Sequence, residues 1–132
     1  GATGFAADEI VAFARQFDPQ PFHIDAEAAK ASLFGGLVAS GWHVAAKLMR
    51  LFVDNYVDKR TALGSPGLDE LRWLKPVRPG ATLTAGVECA AKVPSKSRPN
   101  MGVVHEHWSA INQKGELVMT AKGINMVRRR PA

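Results

Sequence analysis

One cysteine, Cys89, is the only thiol in the chain. No intrachain disulfide can form, and no cysteine-built zinc site either. A reducing compartment, the cytoplasm, is the simplest setting for such a sequence. Long hydrophobic runs are missing too. The longest apolar stretch, from Phe34 to Ala46, is interrupted by His43 and several small residues and is too short to cross a bilayer. The first residues show no basic segment leading into an apolar one, so they do not read as a secretion signal. There is no glycine pattern of a phosphate loop and no serine nucleophile elbow. Internal repeats and low-complexity linkers are absent, and residues 1–132 read as a single domain, long enough to bury a real core.

What is present fits an ordinary globular protein, with 46% hydrophobic and 22% charged residues. The net charge of +5 points to an anionic partner, either nucleic acid or a phosphate-bearing carrier such as coenzyme A. The basic residues are dispersed. The one run, Arg128-Arg129-Arg130, has no interleaved aromatics and reads as a solvated end, so no nucleic-acid contact is expected.

Apolar residues at Ile10, Val11, Phe13, Ala14 and Phe17 have helical spacing, with Asp8 and Glu9 in the first turn where the helix dipole favours them. Pro19 and Pro21 require that helix to end near Phe17. Asp25 is a good N-cap for a short helix over Ala26–Lys30. Ser40 is the N-cap candidate for a long helix from Gly41 to about Tyr56. That helix is apolar almost all round, with His43, Lys47, Arg50 and Asp54 as one polar stripe, and it should be wrapped by other structure. Beyond Pro66 the period changes to two. Strands are expected at Leu68–Leu74, Thr82–Val93, Met101–Asn112 and Glu116–Val127. Gln113-Lys114-Gly115 is a hairpin loop. The apolar phase of the last strand slips near Gly123, where a bulge is expected. Helices followed by antiparallel strands give an α+β fold, a sheet curled over a central helix.

The segment Phe17-Asp18-Pro19-Gln20-Pro21-Phe22-His23-Ile24-Asp25 sets a carboxylate and an imidazole five positions apart, with two prolines between them. Prolines lower the entropy cost of holding one loop shape, which suits a loop presenting two catalytic groups. Fully extended, the two Cα atoms would lie up to about 17 Å apart. For the two groups to share one water, the segment must curl. Spacing alone equally allows Asp18 to end the first helix and His23 to pack in a turn.

Asp18-Pro19-Gln20-Pro21-Phe22-His23-Ile24-Asp25 resembles the hydratase motif of the MaoC-like dehydratases and (R)-specific enoyl-CoA hydratases, Asp-x-Asn-Pro-hydrophobic-His-x-Asp. Phe34-Gly35-Gly36-Leu37-Val38-Ala39-Ser40-Gly41 looks like the entry to that family's central helix, and Leu74-Lys75-Pro76-Val77-Arg78-Pro79-Gly80 is similar to its strand-turn signature. The resemblance implies the hotdog fold, a curled antiparallel sheet around a long helix, and a homodimer. The chain departs from the family pattern with Gln20 in place of Asn, Ser40 in place of His, and Met49 where some members carry a hydroxyl. Seven residues precede Asp8, fewer than the family's usual extra strand would need, which suggests that an N-terminal segment is lacking.

The resemblance further implies reversible hydration of trans-2-enoyl thioesters to (R)-3-hydroxyacyl thioesters, with Asp18 and His23 sharing the acid–base work on a water. Gly41, at the helix start, offers a backbone N–H to the thioester oxygen, or serves only close helix packing. Ser40 belongs to the same oxyanion and substrate-binding group. Leu37, Trp42 and Met49 would border the acyl chain, although Trp42 and Met49 are equally suited to the core. Lys96 and Arg98 either meet the carrier's phosphates or are solvated loop charges. Such a hydratase needs no metal and no redox cofactor, only coenzyme A as part of the substrate. His105 and His107 have no evident third metal ligand, and Cys89 falls on an apolar strand face. The rival readings are a hotdog thioesterase, whose carboxylate would sit on the central helix where only Asp54 is available, and a non-catalytic acyl-thioester-binding module.

Overall fold

The computed structural model describes residues 1–58 and 60–129, with the elements in the order β1 (Ala2–Gly4), α1 (Ala7–Phe17), α2 (Pro21–Ile24), α3 (Ala26–Lys30), α4 (Gly41–Asn55), β2 (Ala62–Trp73), β3 (Thr82–Pro94), β4 (Met101–Ile111) and β5 (Leu117–Arg128). α1 ends where Pro19 requires. The Asp18 N–H still donates to the Ala14 carbonyl at 2.8 Å, and Asp18 itself leaves the helical region with φ −153°. α3 starts as expected, the Asp25 carboxylate accepting from the N–H groups of Glu27 and Ala28 at 2.9 and 3.3 Å. The one-turn helix α2 was not evident from periodicity. It begins with Pro21 at its first position, where the missing N–H costs nothing.

The strands form one antiparallel sheet in the order β1-β3-β4-β5-β2. α4 lies on its concave face and buries Val44, Leu48 and Phe52, a stripe spaced by four, against Leu83, Trp108, Val118 and Met119. This is the curled sheet around a helix that the resemblance implies. β1, from the residues before α1, pairs with β3 and closes one sheet edge. Among the described residues no helix is long and apolar enough to cross a membrane.

Three expectations need correction. α4 is not enclosed all round within one chain, since Trp42, Met49 and Tyr56 are 59%, 40% and 48% exposed. Cys89 is exposed, because β3 runs past the cover of α4 beyond Val87 and its alternation no longer meets a packing partner. β5 pairs with β4 in unbroken register through Gly123, its one shift with β4 lying at the hairpin end between Ala110 and Ile111; the other irregularities fall in its pairing with β2, where Glu70 adopts φ +50° within a shift between Asp69 and Arg72. The apolar phase slips for another reason: Gly123 makes room for an indole. In the tail, Arg128 and Arg129 are exposed as expected, and Arg130 lies outside the described residues.

A Cβ at Gly123 would stand 2.7–3.0 Å from three ring atoms of Trp108. Trp108 is only 8% exposed, and its Nε1–H donates to Glu106 at 3.2 Å, so the ring cannot give way. Gly123→Ala is therefore expected to destabilise the fold by about 1–3 kcal/mol through overpacking. Urea unfolding measures this, and an unchanged midpoint would refute the account.

Candidate active site

Asp18 and His23 meet because the chain between them curls twice. The Gln20 N–H donates to the Asp18 carbonyl at 2.7 Å, and the turn of α2 then carries His23 back towards α1. The carboxylate Oδ2 of Asp18 lies 3.4 Å from Nε2 of His23. The extended separation that five residues allow is thus removed by local bonds and two prolines.

Each member of the pair is held by other groups. His23 is 6% exposed, and its Nδ1–H donates to the Val38 carbonyl at 2.6 Å. A carbonyl can only accept, so Nδ1 carries a proton and Nε2 is the ring nitrogen that faces Asp18. The Asp18 carboxylate accepts from the Gln20 amide on Oδ1 at 2.6 Å and from the Ser40 hydroxyl on Oδ2 at 2.7 Å. Burial pushes the Asp18 carboxyl up, but the bonds from Gln20 and Ser40 and the nearby His23 outweigh it. The pKa is held below the usual aspartate value. The Asp18 carboxylate and Nε2 of His23 thus face one another within reach of a single water. One water donating to both would be polarised as a nucleophile.

The pair opens onto a cleft of about 480 Å³ with mostly apolar walls, among them Phe22, Val38, Val44, Val77 and Val118. Its walls are tied together by backbone bonds, Ala39 N–H to the Val77 carbonyl at 2.8 Å and Leu74 N–H to the Val118 carbonyl at 2.7 Å. The Arg78 guanidinium bonds the Phe34 carbonyl at 2.6 Å and clamps the loop before α4 to the turn after β2.

Gly41 lines this cleft, and its lack of a Cβ has a visible cause. A Cβ there would stand 2.4–2.8 Å from the indole carbons of Trp73, which packs edge-on against Trp42. The absent Cβ thus leaves room for Trp73 of the edge strand β2 to approach the start of α4. Trp42 borders the cleft rather than the core. Leu37 packs against the core and is not part of the cleft wall, nor is Ser40, whose hydroxyl is turned to Asp18. Met49 lies elsewhere, in a larger cavity of about 740 Å³ beside the C-terminal end of α4. The buried Glu106 of that cavity is taken up by Trp108 and Asn125, and burial together with Glu106 pushes the Tyr56 phenol up to about 12. Lys96 and Arg98 sit in the β3–β4 turn, at the opposite end of β3 from Val77 and outside the cleft; the lysine in the cleft wall is Lys75.

The remaining candidates have structural roles. His43 is 4% exposed, stacked on Phe13 with ring centroids 4.6 Å apart and 3.5 Å from Glu9, so it joins α1 to α4. Burial chiefly, with Lys47, lowers its pKa against the pull of Glu9. Asp54 is paired with Arg50 at 2.8 Å in the last turns of α4 and is not part of the cleft wall. Among the described residues no group of three or more His, Cys, Asp or Glu is placed to hold a metal, His105 and His107 included. Trp73 and the Val38 carbonyl were missed in the sequence. Neither carries a local signal, since one belongs to an edge strand and the other is backbone.

A family model described as MaoC like domain matches residues 3–110. The chain is similar over its whole length to the crystal structure of a MaoC-like dehydratase from Rhodospirillum rubrum, with 46% identity, a TM-score of 0.89 and coverage of 90% of that chain. It is also similar to the (R)-hydratase from A. caviae involved in PHA biosynthesis, at 25% identity and a TM-score of 0.76, over 95% of this chain and 89% of that one. The uncharacterized protein YdeM of Bacillus subtilis (strain 168) shares 31% identity over 107 residues, 81% of this chain and 74% of that protein.

Proposed function

The chain belongs to the MaoC-like family of hotdog hydratases and dehydratases, and from that premise we propose that it reversibly hydrates trans-2-enoyl thioesters to (R)-3-hydroxyacyl thioesters. The observation that carries the reading is the convergence of Asp18 and His23 at 3.4 Å on the wall of an apolar cleft, with Nε2 of the imidazole turned to the carboxylate. A water held by both gives a proton to the pair as its oxygen attacks C3, and the proton is delivered to C2 as the enolate collapses. The thioester oxygen gains charge in that step. It would be met by the Gly41 N–H, one of the helix N-terminal amides that no carbonyl within the helix can satisfy. The acyl group would lie along Val38, Ala39, Val44, Val77 and Val118. The coenzyme A or acyl-carrier end would leave past Lys75. Hydration by this route needs no metal or redox group.

The reading includes a homodimer in the cytoplasm. β2 is an edge strand exposed along almost its whole length, with Leu63, Leu68 and Trp73 each at least 40% exposed. An apolar edge of this kind invites pairing with a second copy.

The test is the loss of conjugated enoyl absorbance when purified protein meets crotonyl-CoA and longer trans-2-enoyl-CoAs, with a free-thiol assay alongside. Absorbance loss without thiol release is expected. Thiol release instead would make the protein a thioesterase, and silence in both assays with saturable ligand binding would make it a binding module.

A further inference from the structure

We infer that Ser40 is a positioning residue for Asp18, whose buried hydroxyl fixes the carboxylate oxygen that faces His23. The inference rests on the acid–base reading of Asp18 and His23. It assigns Ser40 a role different from the substrate contact expected of it.

Three observations converge. Ser40 is 0% exposed and is not part of the cleft wall, so it is not placed to touch substrate. Its Oγ lies 2.7 Å from Asp18 Oδ2, and because a carboxylate only accepts, the hydroxyl donates. Ser40 also occupies the N-cap of α4, where a serine oxygen ordinarily accepts from an amide in the first turn. Here no such bond is made. The His43 and Val44 amides reach the Ser40 carbonyl instead, at 3.0 and 3.1 Å. One choice of rotamer therefore has two effects: the hydroxyl is committed to Asp18, and the Trp42 amide is left without that cap.

The two carboxylate oxygens are held differently. Gln20, an exposed side chain two residues away, holds Oδ1 at 2.6 Å. Ser40, 22 positions away on α4, holds Oδ2, the oxygen 3.4 Å from His23 Nε2. Ser40 thus ties the reactive oxygen to the helix on which the substrate rests. The groups facing Asp18 are His23 from α2, the Gln20 amide and the Ser40 hydroxyl. Lys75 shares the cleft but is paired with Glu116 at 2.7 Å.

The experiment compares wild type, Ser40→Ala and Ser40→Thr in crotonyl-CoA hydration across pH, together with a 13C NMR titration of the Asp18 carboxyl. Losing the donor removes support for the carboxylate, so the Asp18 titration and the acid limb of the kcat profile should both move to higher pH. kcat should fall about tenfold or more, the size of one hydrogen bond to a charged group, with KM within about twofold. Ser40→Thr should restore both. If Ser40→Ala does not fold, Ser40→Cys, close in volume and a weak donor, takes its place. An unmoved Asp18 titration, or a rise in KM alone, would overturn the inference. If wild-type protein hydrates no enoyl thioester, the hydratase reading fails by itself, and the NMR titration still decides whether Ser40 holds Asp18.

Discussion

Asp18→Asn and His23→Ala should each lower kcat for crotonyl-CoA hydration by about 10²–10⁴-fold, the range attributed to a positioned acid or base. The two substitutions reach that result differently. Asp18→Asn is isosteric. The new amide can turn its oxygen to the Gln20 amide and its NH2 to the Ser40 hydroxyl, which then accepts, so the local bonds survive and the fold should too. What is lost is the negative charge, and an N–H donor now points where the water must donate. His23→Ala removes a buried ring and leaves the Val38 carbonyl without its 2.6 Å donor. It should therefore also cost about 1–3 kcal/mol of stability. Initial rates read beside thermal melts separate the two effects. Either variant retaining activity within tenfold of wild type would remove that residue from the chemistry. Asp18 further contributes stability that is present above its unfolded pKa and lost as pH falls through its lowered folded pKa. Asp18→Asn should flatten that part of the acid-unfolding curve.

Gly41→Ala carries the second large effect. Alanine gains up to about 1 kcal/mol in helix propensity over glycine. Against this, the new Cβ would stand 2.4–2.8 Å from Trp73, a clash expected to cost about 1–3 kcal/mol unless the indole moves. Trp73 is 43% exposed on an edge strand, so it can swing outward, but it then leaves Trp42 and opens the mouth of the cleft. kcat should fall about 10²–10³-fold if the thioester oxygen must approach the Gly41 N–H closely. The double variant Gly41→Ala/Trp73→Ala, measured against Trp73→Ala alone, distinguishes the two roles of this glycine. Recovery of stability without recovery of rate is expected. Recovery of both would reduce Gly41 to a packing position and remove the oxyanion assignment.

Much of this molecule was legible from neighbouring residues. Pro19 and Pro21 ended α1 and shaped the curl between Asp18 and His23 through steric exclusion within one or two residues. Asp25 capped α3 through its own side chain. The alternation of β3 held for Leu83, Ala85 and Val87, where α4 covers the sheet, and failed at Cys89, where it does not. Periodicity reports which face is apolar, not how far a partner element extends over it. The same limit explains why α4, apolar nearly all round, leaves Trp42, Met49 and Tyr56 exposed in one chain.

By itself, then, the sequence determined the α+β class and the boundaries of α1, α3 and α4, because these follow from torsional limits, capping and spacing within a few positions, whereas Asp18 and His23 stood out only through the resemblance of their segment to the hydratase motif. Only the tertiary structure decided that Ser40 turns from its helix to Asp18 across 22 positions, that the Val38 carbonyl holds His23 Nδ1 across 15, and that Gly41 yields its Cβ space to Trp73. Those contacts join segments that no local rule relates. They exist only once the sheet has curled over α4 and brought the three loops to one cleft.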